Sequence, residues 1–326
     1  MSPSVTQNSS TSVTLTTINT NNLNHPVLRG PVLKHIPKSA RPSCCAALSG
    51  ILSSISANRQ DQARWGKLFS FCPSTLLIPP KDGSRSNVSD IIKQRVSGSL
   101  GSTDPAQNFI ATKRRAFDLA RAVSSRIEDG NVKAAFRLVS SDDKPPDCSD
   151  AALTAMLARH PSAPSDRALI SDPGSHSPLR FSEVEVLKAI KSFPAGSSGG
   201  PDGFRPQHLL ELVTCQSNGP ALLTAVTDFV NLVLEGGCPA SVSPVFFGAR
   251  LIALEKKAGG FRPIAIGYTF RRLISKCANT FAQKKLADYF SPIQLGVAVS
   301  GGGCEAAVHA SRRFWKAWLL AMSESS

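Results

Sequence analysis

The sequence predicts an α+β fold with helices dominant, and three observations carry that reading. Apolar residues recur at three- and four-residue spacing over most of the chain from residue 44 onward. The period changes to two only across residues 250–266, where a single β-hairpin is expected. The 326-residue chain is 41% hydrophobic but only 6% aromatic, enough for a sizeable core built chiefly of Leu, Ile, Val and Ala.

Residues 1–43 lack hydrophobic periodicity, are rich in Ser, Thr and Asn, and are expected to be a disordered leader. From Cys44 to Leu77, Leu48, Ile51, Leu52 and Ile55 share a helical face. Trp65, Leu68, Phe69 and Phe71 continue the apolar face, and Pro73 is expected to end it. Residues 79–108 read as a Gly-, Ser- and Pro-rich linker. A helix from about Thr112 would bury Phe117, Ala120, Val123 and Ile127 and stop at Gly130. Val132, Ala135, Phe136 and Val139 mark a short second helix. Ser149 caps a third, which Pro161 stops. These helices are expected to form a loosely tethered region, 44–170.

Ser182 with Glu185 forms a capping box, and Phe181 and Val186 occupy the staple positions beside it. Leu187, Ile190 and Phe193 extend the buried stripe. A glycine-rich loop, Ala195 to Gly203, leads to a short helix at Pro206. A longer helix then buries Leu222, Val226, Phe229, Val230 and Val233 before Gly236-Gly237. The hairpin strands read Arg250 to Lys256 and Phe261 to Ile266. A helix from about Phe270 shows Leu273, Ile274, Cys277 and Phe281 on one side. A last helix after Gly301-Gly302-Gly303 holds Val308, Phe314, Trp315 and Trp318.

The formal net charge of +14 favours a polyanionic partner. No apolar run is long enough for a membrane span, so no membrane partner is expected. The eight cysteines include no Cys-x-x-Cys pair, so no structural zinc is expected and reduced, buried thiols are the default.

Alternate strand residues share a face, so Ile252, Leu254 and Lys256 lie together, as do Arg262, Ile264 and Ile266. If Lys256 stands opposite Arg262, two cations sit side by side, an unfavourable pairing unless an anion lies between them. A point charge beside a planar fork suits phosphate oxygens. The same spacing also fits a solvated hairpin tip.

Leu251 to Lys256 followed by Phe261-Arg262-Pro263-Ile264 resembles the fingers hairpin of non-long-terminal-repeat (LINE-type) retrotransposon reverse transcriptases. The resemblance implies that Lys256 and Arg262 contact the triphosphate of an incoming dNTP. Gly200-Pro201-Asp202-Gly203-Phe204-Arg205-Pro206 resembles the family's "GPDG" motif, which implies template binding by Gly200, Asp202, Gly203 and Arg205. Gln294-Leu295-Gly296-Val297 resembles its "QxG" motif and implies the same for Gln294 and Gly296. On the residues alone, the glycine loop is equally a flexible linker. Arg271-Arg272 and Lys284-Lys285 fit a template groove or a solvated helix face.

The resemblance places residues 180–318 in the fingers portion and implies RNA or DNA template-primer and dNTP as partners, in nucleus or cytoplasm. The complete enzyme would use Mg²⁺ held by aspartates that follow the "QxG" region. The last aspartate here is Asp288, ahead of Gln294, and only Glu305 and Glu324 are acidic beyond it. No cofactor and no catalytic residue are therefore assigned to this chain, and inactivity in isolation is expected. The alternative is a non-catalytic RNA- or DNA-binding remnant of a mobile element.

Overall fold

A computed structural model of the chain describes residues 30–79, 87–98, 118–140, 149–159, 177–255, 260–290, 294 and 303–324. These residues are mostly helical, with one two-stranded antiparallel sheet.

Order begins earlier than the predicted leader boundary. Val32 forms a β-bridge with Leu77, Ile36 is buried, and a 3-10 turn at Lys38–Ala40 leads into α1 (Arg41–Ala57). Pro42 in the first turn costs nothing there, because the N–H it lacks would have no intrahelical acceptor. The apolar stretch 44–77 is two helices. Asp61 breaks it by capping α2 (Gln62–Thr75), its side chain accepting from the Ala63 N–H. Pro73 sits within the last turn of α2 and does not terminate it. The segment expected to be a linker holds α3 (Val88–Ser97), capped by Asn87 and closed by Gly98 at φ 70°.

Helix α4 (Leu119–Glu128) starts at Asp118, and Gly130 at φ 71° turns the chain into α5 (Val132–Ser140). The stripes predicted for these two helices are not buried. Ile127, Val132, Phe136 and Val139 are exposed, and Ala135 is the buried residue. Phe117 lies outside the described residues. Helix α6 (Asp150–Ala158) carries the expected Ser149 cap.

Helix α7 (Glu183–Lys191) has its capping box, with Phe181 and Val186 packed inside. Helices α8 (Pro206–Val213) and α9 (Gly219–Leu234) follow, and the predicted α9 stripe is buried. A short α10 (Ser243–Phe246), which the apolar pattern did not announce, brings Phe246 into the core. Strands β1 (Ala249–Glu255) and β2 (Phe261–Gly267) form the hairpin. Helices α11 (Thr269–Phe290) and α12 (Gly303–Glu324) complete the order, with Phe281 exposed on α11.

One apolar core runs from Ile36 through α1, α2 and α3 to α7, α8, α9, α10 and the first half of α11. The loose tether expected of the amino half therefore does not hold for α1–α3. Trp65 is at the centre, 5.4 Å from Phe229 and 5.6 Å from Phe246 between ring centroids. Its indole N–H donates to the Arg59 carbonyl at 2.8 Å, so the ring is buried without an unpaired donor. A second, small cluster joins Ala152 and Met156 of α6 to Ala253 of β1, with Phe261 alongside.

Candidate nucleic-acid and nucleotide-phosphate site

The hairpin fixes Arg262 by its register. Ala249 pairs with Gly267, Ile252 with Ile264 and Leu254 with Arg262, and Glu255 with Phe261 is the last described pair. Strand alternation gives the sheet two unlike faces. Ala253 and Phe261 lie on the face that α6 covers. Arg250, Ile252, Leu254, Arg262, Ile264 and Ile266 share the opposite face, where Arg262 and Ile264 are exposed.

Arg262 thus stands across from Leu254, and the expectation that Lys256 is its direct cross-strand partner is corrected. The pairing is displaced by one two-residue step, so the apolar strip beside Arg262 is the expected one while the opposed cation is not. Lys256 itself, Gly296 and the hairpin tip 256–259 lie outside the described residues. Gln294 is described and exposed, its N–H donating to the Phe290 carbonyl at 2.8 Å.

The Gly200–Phe204 loop is a packed element. The Gly203 N–H donates to the Gly200 carbonyl at 3.0 Å, and Gly203 adopts φ 78°, which glycine reaches without strain. A Cβ on Gly199 would lie 2.3 Å from the Gly203 oxygen, and one on Gly200 would lie 2.7 Å from Tyr268 Cα. The close approach these glycines permit is of one part of the chain to another. The loop is accordingly not the flexible linker that composition allows.

Asp202 is 5% exposed. Its Oδ1 accepts the Phe204 N–H at 3.1 Å, and burial pushes its carboxyl up to about 7. The carboxylate cap and the ring of Phe204, stacked 5.7 Å from Phe270, anchor the loop. Thr269 adds a hydroxyl donated to the Phe204 carbonyl at 2.5 Å. Gly200 and Asp202 are therefore enclosed, and a template contact by either would require this loop to open. Gly203 and Arg205 are half-buried at its rim.

Arg205 introduces α8 by donating its backbone N–H to His208 Nδ1 at 3.2 Å. Because that nitrogen accepts, His208 carries its proton on Nε2, which donates to the Leu33 carbonyl at 2.8 Å. Burial pulls the imidazole down to about 4, so His208 is neutral and structural.

The arginines at the start of α11 have defined tasks. Arg271 donates to the Gly248 carbonyl at 3.3 Å, holding the base of the hairpin. Arg272 donates to the Ser198 carbonyl at 2.7 Å and lies 5.3 Å above the Phe193 ring, with Lys276 Nζ 5.0 Å from the same ring. This Phe193 seat for two cations was not anticipated. The signal was available in Phe193 at the end of the α7 stripe, but a ring read as core gave no hint of cations 79 and 83 positions away. Lys284 and Lys285 are exposed, as are Lys188 and Lys191 on α7.

Among the described residues no group of three or more His, Cys, Asp or Glu side chains is placed to hold a metal ion. No described helix is long and apolar enough to cross a membrane.

The fold and site define a mostly helical chain with an exposed basic-and-apolar hairpin face. No family model, curated protein or solved structure matches the chain.

Proposed function

We propose that the chain is the fingers portion of a LINE-type reverse transcriptase, which binds template nucleic acid and dNTP phosphates and does not polymerise by itself. The observation that carries this reading is the face of the β1–β2 hairpin. Arg262 is exposed there beside Ile252, Leu254 and Ile264, on a hairpin rooted in the helical body by Arg271. The guanidinium offers a planar fork to phosphate oxygens, the apolar strip offers a surface for a base or sugar, and Lys256, the residue after Glu255 in sequence, supplies a second cation. The formal charge of +14 adds a long-range attraction for the nucleic-acid backbone.

Phosphate contacts orient a triphosphate, but binding ground and transition states equally leaves the barrier to transfer unchanged. The lowering of that barrier in polymerases comes from carboxylate-held divalent ions. Beyond Asp288 this chain offers Glu305 and Glu324 alone as carboxylates.

Two measurements on the full chain test the proposal. RNA affinity should fall steeply between low and moderate salt, because phosphate contacts release counterions. Salt-independent binding contradicts it. Primer extension on an RNA template with Mg²⁺ should give no incorporation, and labelled product would overturn the claim of inactivity.

A further inference from the structure

The turn between α4 and α5 reaches the glycine-rich loop that follows α7. Asn131 donates its side-chain amide to the Ala195 carbonyl at 2.6 Å. A Cβ on Gly196 would lie 3.2 Å from that amide nitrogen and 3.9 Å from Asp129 Oδ2. The turn therefore rests on Ala195 and Gly196, where the loop begins. Lys34 and His35 hold it from another side. Asp129 Oδ1 is 3.4 Å from His35 Nε2, its Oδ2 is 3.7 Å from Lys34 Nζ, and Lys34 also bonds Ser125. The Asp129 carboxylate is 14% exposed between them.

Apolar packing does little to hold α4 and α5 down. Ala135 is the one buried side chain among their helical residues, whereas Ile127, Val132, Phe136 and Val139 are exposed. Helices of ten and nine residues are marginal without a packed stripe, so the polar contacts of their shared turn carry much of the attachment. Lys34 and His35 are half-exposed, so each contact to Asp129 is weak and screened by salt. A segment with few buried apolar contacts opens more readily than the core beneath it. What this one covers is the start of the loop whose rim carries Gly203 and Arg205.

We propose that the Asp129-Gly130-Asn131 turn is a releasable strap, closed on the glycine-rich loop in the free chain and displaced by a nucleic-acid strand. A phosphate competes for the place Asp129 occupies, because donors that hold a carboxylate oxygen also hold a phosphate oxygen. Once Asp129 leaves, Asn131 loses its hold on Ala195, and α4 and α5 move off together. The strap rests on the nucleic-acid reading above for the identity of the competing anion, and it adds an autoinhibitory contact to that reading. The closed chain binds with an affinity lowered in proportion to its open fraction.

Residue-resolved hydrogen exchange of the full chain tests the strap. Asp129→Asn with Asn131→Ser removes the charge and the donor to Ala195. Serine keeps a capping acceptor for α5, which Asn131 supplies to the Ala134 N–H at 3.1 Å. The Ser197 amide donates to the Pro194 carbonyl at 3.2 Å, next to the strapped carbonyl. That amide and those of Val132–Ser140 should exchange at least about fivefold faster in the variant, the ratio given by one lost hydrogen bond of about 1 kcal/mol. Amides of residues 226–233 in α9 should not change. Salt should accelerate the same amides in wild type and have a smaller effect in the variant. An oligouridylate should also accelerate them in wild type, and the variant should bind it more tightly.

Unchanged exchange at Ser197 and in α5 would overturn the proposal. So would equal acceleration in α9, which marks general destabilisation. If the oligouridylate binds in a salt-dependent way without moving these amides, the strap fails and the function proposed above stands. If no nucleic acid binds while salt and the variant still release the turn, it is that function which fails.

Discussion

His35 Nδ1 lies 2.6 Å from Glu211 Oε1, joining the segment before α1 to helix α8 across 176 positions of sequence. Glu211 is buried, and its carboxylate also accepts the Ile36 N–H at 2.8 Å and the Gln207 amide at 3.1 Å, with Arg41 at 3.4 Å. The second ring nitrogen of His35 is 3.4 Å from Asp129 in the turn between α4 and α5. Lys34 reaches Ser125 and Asp129 of the same hairpin. Asn131 donates to the Ala195 carbonyl at 2.6 Å. The α4–α5 pair thus meets the body through polar groups, and His35 links its Asp129 to Glu211.

Glu211→Ala should destabilise the chain by about 3 kcal/mol, because it strips the acceptor from a buried N–H and leaves Arg41 facing no charge. Glu211→Gln keeps one acceptor oxygen and should cost about half as much. Urea unfolding measures both. Equal, negligible losses would show that the hub contributes nothing.

Asp202 and His208 predict opposite responses to pH. Asp202 has its carboxyl raised from 3.8 to about 7, so the folded state binds the proton more tightly, and its stabilising contribution is lost as pH rises through that window. His208 is lowered from 6.5 to about 4, so its contribution is present above 6.5 and lost as pH falls toward 4. Across the shared window the two slopes oppose each other. Asp202→Asn should unmask a stability that falls with acidification, and His208→Gln one that rises. Unfolding free energies of both variants at the ends of the window check the signs. Parallel slopes would refute the assignment.

Gly200→Ala and Gly50→Ala should move stability in opposite directions. The new Cβ at position 200 meets backbone at 2.7 Å, which cannot yield cheaply, and a loss of about 3 kcal/mol is expected. At position 50, within α1, nothing lies within 4 Å, and alanine should stabilise by about 0.5–1 kcal/mol. Thermal melts of the two variants read the contrast directly.

Legibility in the sequence followed the range of the interaction. The Ser182–Glu185 box and the hairpin strands are local patterns, and both formed where the spacing put them. Helix α3 lies inside a Gly- and Ser-rich stretch whose composition resembles a linker, and its Asn87 and Gly98 caps are its main local signal. The period of Val132, Phe136 and Val139 identified a helix but not what would cover it, and those side chains are exposed. The enclosure of Asp202 depended on Tyr268, Thr269 and Phe270, some 66 to 68 positions later, and no local pattern reports such a meeting. The register of Arg262 turned on where the hairpin tip begins, a two-residue choice that strand alternation leaves open.

The most direct test of the account is dNTP binding to the full chain, measured by equilibrium titration for wild type and for Lys256→Ala with Arg262→Ala. Removing a charged, two-pronged phosphate contact worth about 1.5–3 kcal/mol predicts a loss of affinity of about tenfold or more. Equal affinity in the two proteins would contradict the assignment of the hairpin as a nucleotide-phosphate site.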